Sequence, residues 1–370
     1  MATENRRLVN FSAGPAVLPE PVLRRASEEL VALEGVGVSP LEISHRSSWF
    51  TEVIEEAEAN LRGLLGLHDD QRVLFLQGGA SLQFSMVPMD LLRGSGRRAE
   101  YVVTGSWGEK AVREGAREGE VAVVWSGADG GFSRVPSDGE FVAGPDAAYL
   151  HVTSNETIQG VEFPDPRIPH APEGVPLVCD VSSDFLARPV DAGRYGLLYA
   201  GAQKNAGPSG LTVVIVRDDV LETIPDGLPT MLDYRTHVAG GSRYNTPPVF
   251  SIYILMLVSR WLRDDVGGLE KMAELNEEKA SMLYDEIDRS PGFYRGHADA
   301  DSRSRMNVTF RLPSGELETR FLEGAAHRDL VELKGHRSVG GIRASIYNAM
   351  PREGVEALAG FMRDFAEANA

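Results

Sequence analysis

Seven short apolar runs, spaced along the first 216 residues, constrain the fold of this chain more than any other feature. They cover residues 71–77, 99–104, 120–125, 148–152, 176–180, 197–200 and 211–216. Each reads as a strand; 197–200 and 211–216, too short and too β-branched for helices, read as fully buried ones, and 176–180 also as buried. Helical spacing fills several of the intervals. A helix is expected over 22–33. A clearer amphipathic one spans 49–65, with Ser47, Ser48 or Thr51 to cap it and Gly66 beyond its end. Further helices are expected over 82–92, with Pro88 inside, and over 109–118, with Trp107 placed at the end of the preceding strand. Repeated strand–helix units of this length predict an α/β fold, a mostly parallel central sheet with helices on both faces.

Past Val216 the pattern changes. Residues 225–248 are rich in Gly, Pro, Thr and Asn and read as a long functional loop. Helices are expected over 249–263 and 269–287. Residues 305–312 and 342–347 alternate like the half-exposed strands of a smaller sheet, and an amphipathic helix over 354–368 closes the chain. A chain of 370 residues exceeds the ~250–300 at which one core stops growing. We therefore expect a large domain over 16–258 and a smaller α+β domain over 259–370, joined by residues 1–15.

Charge and cysteine content narrow the function classes. The net charge is −17 and no basic run exceeds two residues, so nucleic acid and anionic membranes are poor partners. A lone cysteine, Cys179, excludes an intrachain disulfide framework and any multi-cysteine metal site, and no metal is expected. The first eleven residues lack the apolar core of a signal peptide. The apolar stretch 249–259 is too short to span a bilayer, and a cytoplasmic location is expected.

The candidate chemistry centres on Lys204. The chain has five lysines beside thirty-two arginines, and this one sits between two buried strands in the glycine- and proline-rich turn Gly201–Gly210. Open α/β sheets bind ligands at such strand ends. A partly desolvated amine there has a lowered pKa and can act as a nucleophile. Asp180 ends the strand before it and reads either as a helix cap or as a buried acid facing the sheet mouth. Gly78-Gly79-Ala80-Ser81 joins a strand to a helix start, where free N–H groups and the helix dipole favour an anion. Trp107 offers a flat face for an aromatic ring. A phosphate site, a stacking ring, an acid and a desolvated lysine together are what pyridoxal phosphate needs.

Six blocks carry a resemblance to a known family: NFSAGP (10–15), EISHR (42–46), FLQGGAS (75–81), YAGAQKNAGPSG (199–210), YNTPP (244–248) and GHRSVGGIRASIYNAM (335–350). In this order they resemble the phosphoserine aminotransferases, and the resemblance covers nearly the whole chain. It implies a fold-type I pyridoxal phosphate enzyme of aminotransferase class V, working as a homodimer with sites at the subunit boundary. Lys204 then matches the lysine that carries the cofactor and Asp180 the partner of the pyridine nitrogen. Trp107 matches the stacking ring and Thr157 the hydroxyl near the phenolic oxygen. Ala80, Ser81 and Gln203 match the phosphate cradle, completed by Asn245 and Thr246 of the other subunit. Ser12, His45, Arg46, His336, Arg337 and Arg343 match the substrate-binding residues, Arg343 for the α-carboxylate and the His-Arg pairs for the distal phosphate or carboxylate.

The implied reaction is reversible ping-pong transfer of an amino group between glutamate and 2-oxoglutarate on one side and 3-phosphohydroxypyruvate and phosphoserine on the other. It belongs to serine biosynthesis, and the family also includes transamination of 4-phosphohydroxy-L-threonine in vitamin B6 synthesis. Independently of the family, an acidic chain that takes such doubly anionic substrates needs a local cationic pocket, and arginine's planar fork suits carboxylate and phosphate alike. Two other readings remain at this stage. A different class V reaction is one, and cysteine desulfuration would need a mobile Cys179. A non-catalytic nucleotide-binding module using Gly78–Ser81 is the other, and it leaves Lys204 and Asp180 without a task.

Overall fold

The structure is a computed structural model that describes residues 7–164, 167–290 and 292–369. Residues 1–6 of the expected joining segment, and residues 165, 166, 291 and 370 of the expected domains, lie outside the described residues. The seven runs form one seven-stranded sheet: β1 (Gln71–Leu76), β2 (Ala99–Val103), β3 (Val121–Ser126), β4 (Tyr149–Thr153), β5 (Leu177–Asp180), β6 (Leu197–Gly201) and β7 (Thr212–Arg217). Their order is β1-β7-β6-β5-β4-β2-β3. Only β7 opposes the rest. It pairs antiparallel with both neighbours, Thr212 facing Gly201 on one side and Leu76 on the other.

Side chains alternate across this sheet because successive strand residues point to opposite faces. Val73 and Phe75 of β1, Leu198 and Ala200 of β6, and Val213 and Ile215 of β7 enter one apolar cluster. Leu74, Leu76, Leu197, Tyr199, Val214 and Val216 enter another. Both faces are covered, as a mostly parallel sheet requires. The first cluster lies under α1 (Glu20–Glu29), α2 (Ser48–Leu65) and α5 (Val249–Trp261), and the second under α3 (Gly79–Leu91) and α4 (Ser106–Gly115). Of the three candidate caps for α2 it is Ser47 whose hydroxyl accepts the N–H of Phe50, at 3.2 Å, and Gly66 ends the helix in the left-handed region.

Several boundaries differ from the sequence expectation. Helix α1 stops at Glu29, because Leu30 and Val31, which continue the apolar spacing, face outward. Helix α3 opens at Gly79 rather than 82, since Gly78 and Gly79 supply the left-handed turn and the helix follows at once. Trp107 does not end a strand; it lies in the first turn of α4. The long loop contains a short helix, Tyr234–Ala239, capped by Asp233.

Helix α5 runs on through one π-helical turn, Leu262–Val266, to α6 (Leu269–Arg289). A third apolar cluster gathers there. It joins the end of α6 to a three-stranded antiparallel sheet, β8 (Arg295–Gly296), β9 (Asn307–Arg311) and β10 (Ile342–Ser345), with α7 (Gly315–Ala326) and α8 (Arg352–Asn369). Phe11 is buried in that cluster, and Val9–Asn10 pairs in parallel with Leu330–Val331.

Candidate active site

All of the strand ends that matter point the same way. The C-terminal ends of β1, β2, β4, β5 and β6 lead respectively to Gly78, Trp107, Thr157, Asp180 and Lys204, the edge where open α/β sheets bind ligands. Lys204 follows β6 by three residues, and its Nζ donates to the Thr157 hydroxyl at 2.7 Å. Burial pulls the Lys204 amine down to about 8, against the opposing influence of Asp180, Glu156 and Asp184; the Arg343 guanidinium lowers it further. An amine in that range is partly neutral near physiological pH, the condition for nucleophilic and proton-transfer work.

Asp180 is buried, and its Oδ1 accepts the backbone N–H of Ser182 at 2.9 Å. A turn rather than a helix follows, so Asp180 caps nothing. Burial pushes its carboxyl up, while the Lys204 ammonium and the Ser182 hydrogen bonds hold it down. The Trp107 ring centroid lies 5.6 Å from Lys204 Nζ, and its indole N–H is buried without a protein partner. No side chain caps the N-terminus of α3, leaving the amide groups around Ala80 and Ser81 free of side-chain acceptors. A Cβ built on Gly201 would lie 3.7 Å from the Ala80 nitrogen, so β6 and this helix start are neighbours. The Gln203 carbonyl accepts the N–H of Ala16 at 2.9 Å, and its side chain packs on Gly14.

A cationic group approaches from the smaller sheet. Arg343, on β10, reaches the Thr157 carbonyl at 3.5 Å, and burial lowers its pKa. The loop before it carries His336 and Arg337 and folds back tightly. Gly335 N donates to Gly341 O at 2.8 Å, and a Cβ on Gly335 would sit 2.0 Å from the Gly340 oxygen, so no larger residue fits. His336 is pushed down first by burial and then by Arg343, Lys110 and Arg337, which places these three cations in one electrostatic neighbourhood around its imidazole. Ser12 lies between two anchors to the same strand end, Ser345 N on Phe11 O at 3.2 Å and Tyr347 OH on Ala13 O at 2.8 Å.

Four expected residues are not brought to Lys204 by this chain. Arg46 is exposed and His45 half-buried, with its Nε2 unpartnered. The Thr246 carbonyl accepts from Gln77 of the same chain at 3.1 Å, and Asn245 is exposed. Cys179 is sealed inside β5 and burial raises its thiol pKa well above the usual range, which leaves it no mobile nucleophilic role.

Residues 8–358 match the Aminotransferase class-V family. The chain belongs to that family. It is 56% identical over 369 residues to the phosphoserine aminotransferase of Rhodopirellula baltica, covering 100% of this chain and 98% of the relative. A solved phosphoserine aminotransferase from Bacillus circulans subsp. alkalophilus superposes with a TM-score of 0.95 at 50% identity, over 98% of this chain and 99% of that one. A pyridoxal phosphate-bound phosphoserine aminotransferase from Trichomonas vaginalis does so with a TM-score of 0.90 at 39% identity, over 96% and 100%.

Within this class V aminotransferase, sequence reasoning missed two groups beside the lysine. Glu156 is buried and accepts the backbone N–H groups of Trp107 and Gly108 at 3.0 and 2.8 Å, fixing the first turn of α4. Burial pushes its carboxyl up to about 7, against those two bonds. Its position next to Thr157 was the available signal. Lys110 places its ammonium 3.7 Å from the Trp107 ring centroid, and the scarcity of lysine could have pointed to it. Among the described residues no helix is long and apolar enough to cross a membrane.

Proposed function

We propose that this chain catalyses reversible amino transfer between L-glutamate with 3-phosphohydroxypyruvate and 2-oxoglutarate with O-phospho-L-serine, with pyridoxal 5′-phosphate as its cofactor. The observation that carries the reading is the half-buried Lys204 amine, which donates to Thr157 at 2.7 Å, lies 5.6 Å from the Trp107 ring centroid and is influenced by Asp180, Glu156 and Arg343, with desolvation lowering it to about 8. These residues fit the cofactor. The uncapped α3 start with Ala80, Ser81 and Gln203 would hold its phosphate, Asp180 its ring nitrogen, Trp107 its ring face and Thr157 its phenolic oxygen. When bound, pyridoxal phosphate supplies an electron sink that stabilises negative charge at the substrate α-carbon.

This chain's own groups do the rest. Lys204, once displaced by the incoming amino group, takes the α-proton and returns it on the other side of the amino transfer, which a pKa near 8 suits at neutral pH. Asp180, held as an anion by Lys204 and Ser182, keeps positive charge at the ring nitrogen. Arg343 binds the α-carboxylate, and His336 and Arg337 bind the distal phosphate or carboxylate. 4-Phosphohydroxy-L-threonine presents the same two anionic ends to the same cations.

The reading extends to the assembly. His45, Arg46, Asn245 and Thr246 would act in the site of a second copy. Leu30, Val31, Val36, Val38 and Leu41 just ahead of His45, and Tyr244 just ahead of Asn245, are apolar residues left exposed, as an unpaired subunit face would leave them. We further infer two units, 16–258 and 259–370 with residues 1–15, acting in the cytoplasm.

The test is specificity. Charge-assisted hydrogen bonds contribute ~1.5–3 kcal/mol each, so a substrate lacking the phosphate forfeits two or three of them and is used about a thousandfold less well. We expect kcat/KM for phosphoserine to exceed that for serine by this factor, with 2-oxoglutarate as acceptor. Arg337→Ala lowers the phosphoserine value selectively, and Arg343→Ala lowers both. Comparable use of serine by the unaltered protein refutes the phosphoserine assignment and leaves an aminotransferase of another amino acid.

A further inference from the structure

Lys279 is the one lysine of α6 that is buried, only 3% exposed, and the reaction described above gives it no task. Its ammonium donates to four backbone carbonyls of one segment: Tyr347 at 2.8 Å, Ile346 at 3.1 Å, Met350 at 3.2 Å and Asn348 at 3.4 Å. Among the described residues no carboxylate pairs with it. Burial alone draws its pKa down to about 7, whereas four carbonyl oxygens favour the charged form. A cation ringed by backbone carbonyls is the arrangement proteins use for a bound monovalent ion. Here the ion is tethered to a helix.

The caged segment leads directly to the site. It follows Arg343 on the same strand end. Asn348 N donates to Asn205 Oδ1 at 3.0 Å, and Asn205 is the residue after Lys204. The Asn348 side chain donates to Leu186 O and accepts from Asn276, one helical turn before Lys279 on α6, both at 2.8 Å. Tyr347 OH donates to Ala13 O beside Ser12, and Asn307 donates to both Ser345 and Tyr347. One buried charge thus gathers the carbonyls of a segment whose other groups hold the neighbours of Lys204, Ser12 and Arg343.

We propose that Lys279 is a positioning residue for amino transfer, its ammonium acting as a built-in cation that sets the segment 346–350 and through it the register of Lys204 against Arg343. The proposal rests on the aminotransferase reading for one of its two assays. The other, the rate at which added pyridoxal phosphate becomes attached to Lys204 and fixed by borohydride, needs no amino-acid substrate, so a wrong substrate and a wrong role for Lys279 give different results.

Lys279→Ala removes the charge and opens the carbonyl cage toward an adjoining cavity of about 420 Å³ lined by Val9, Met272 and Met350. Ammonium or potassium ions can then reach the cage. A displacement of about 1 Å at a reacting group costs up to about a hundredfold, so we expect kcat and the attachment rate to fall tenfold to a hundredfold at 25 °C. Added ammonium or potassium chloride should restore most of that loss, with tetramethylammonium as the control ion too large for the cage. A lowered Tm with both rates within twofold of the unaltered protein overturns the proposal, because the role is then structural only. A loss that the small cations leave untouched also overturns it. If the alanine variant does not fold, Asn205→Ala decides, since it cuts the same connection at its far end. Unchanged rates there refute the proposal, and a tenfold or greater fall supports it.

Discussion

Glu156 allows a quantitative test of how this site handles buried charge. Its carboxylate is fully buried and held by the Trp107 and Gly108 amides. Burial moves its pKa from 4.5 up to about 7. Between those values the folded protein holds a proton that the unfolded chain has already lost. Stability attributable to this group is therefore full below pH 4.5, falls as pH rises through the window, and is gone above about 7. At ~1.4 kcal/mol per pH unit the whole displacement corresponds to about 3 kcal/mol. Glu156→Gln abolishes the titration. The glutamine oxygen keeps one of the two amides as a donor, and the other is left facing an NH₂ group, a cost of ~1–3 kcal/mol that does not vary with pH.

The assay is urea unfolding of the cofactor-free protein and of Glu156→Gln, at one protein concentration, across the range from pH 4.5 to about pH 8. The expected result is a wild-type minus variant difference that shrinks by about 3 kcal/mol as pH rises to about 7 and stays level beyond it. A difference independent of pH would refute the reasoning. It would mean that Glu156 is ionised throughout, with the two amides and Lys204 outweighing burial.

The remaining predictions concern the lysine and the assembly. Lys204→Ala should leave no borohydride-fixed pyridoxal phosphate on the chain and reduce turnover by at least the ~100–10,000-fold typical of a lost proton-transfer group; label retained elsewhere on the chain would move the assignment. Asn245→Ala with Thr246→Ala should weaken cofactor retention, and mixing that variant with Lys204→Ala should restore up to one working site per mixed dimer. Mixed dimers that form without recovery would mean that each subunit builds its site alone.

The sheet was legible because its strands are short and mostly apolar, and burial on both faces leaves no other reading for 211–216 or 176–180, whereas the edge strand β3 is only half-buried. The reversed direction of β7 was not legible, since direction depends on pairing partners distant in the chain. The start of α3 slipped because glycine plays two parts there. Gly78 and Gly79 read as a break, yet they are the turn from which α3 starts at once. Lys204 and Arg343 lie in blocks that carry the resemblance, Asp180 was singled out as a strand end and Thr157 through the resemblance alone, and the structure brings the four together. Glu156 was passed over because an acid in a polar run reads as solvated. Only the fold reveals that Asn155-Glu156-Thr157 is buried beneath α4. Lys279 was hidden for the same reason, as its helix looks like a charged surface helix.

The charges around the site fall into two zones with opposite signs. Asp180, Glu156 and Asp184 lie on the strand-end side of Lys204 and hold its pKa up against burial, while Arg343 acts in the other direction. Beyond them stand Lys110, Arg337 and Arg343; after burial, their charges lower His336, and Arg113 and Arg337 lower Lys110. A dianionic substrate entering this outer group relieves that mutual repulsion. A dianion bound there would also offset the lowering of Lys204 by Arg343. Binding and base strength are then coupled through one guanidinium. That coupling lets an acidic chain of net charge −17 admit substrates of its own sign without a broad basic surface.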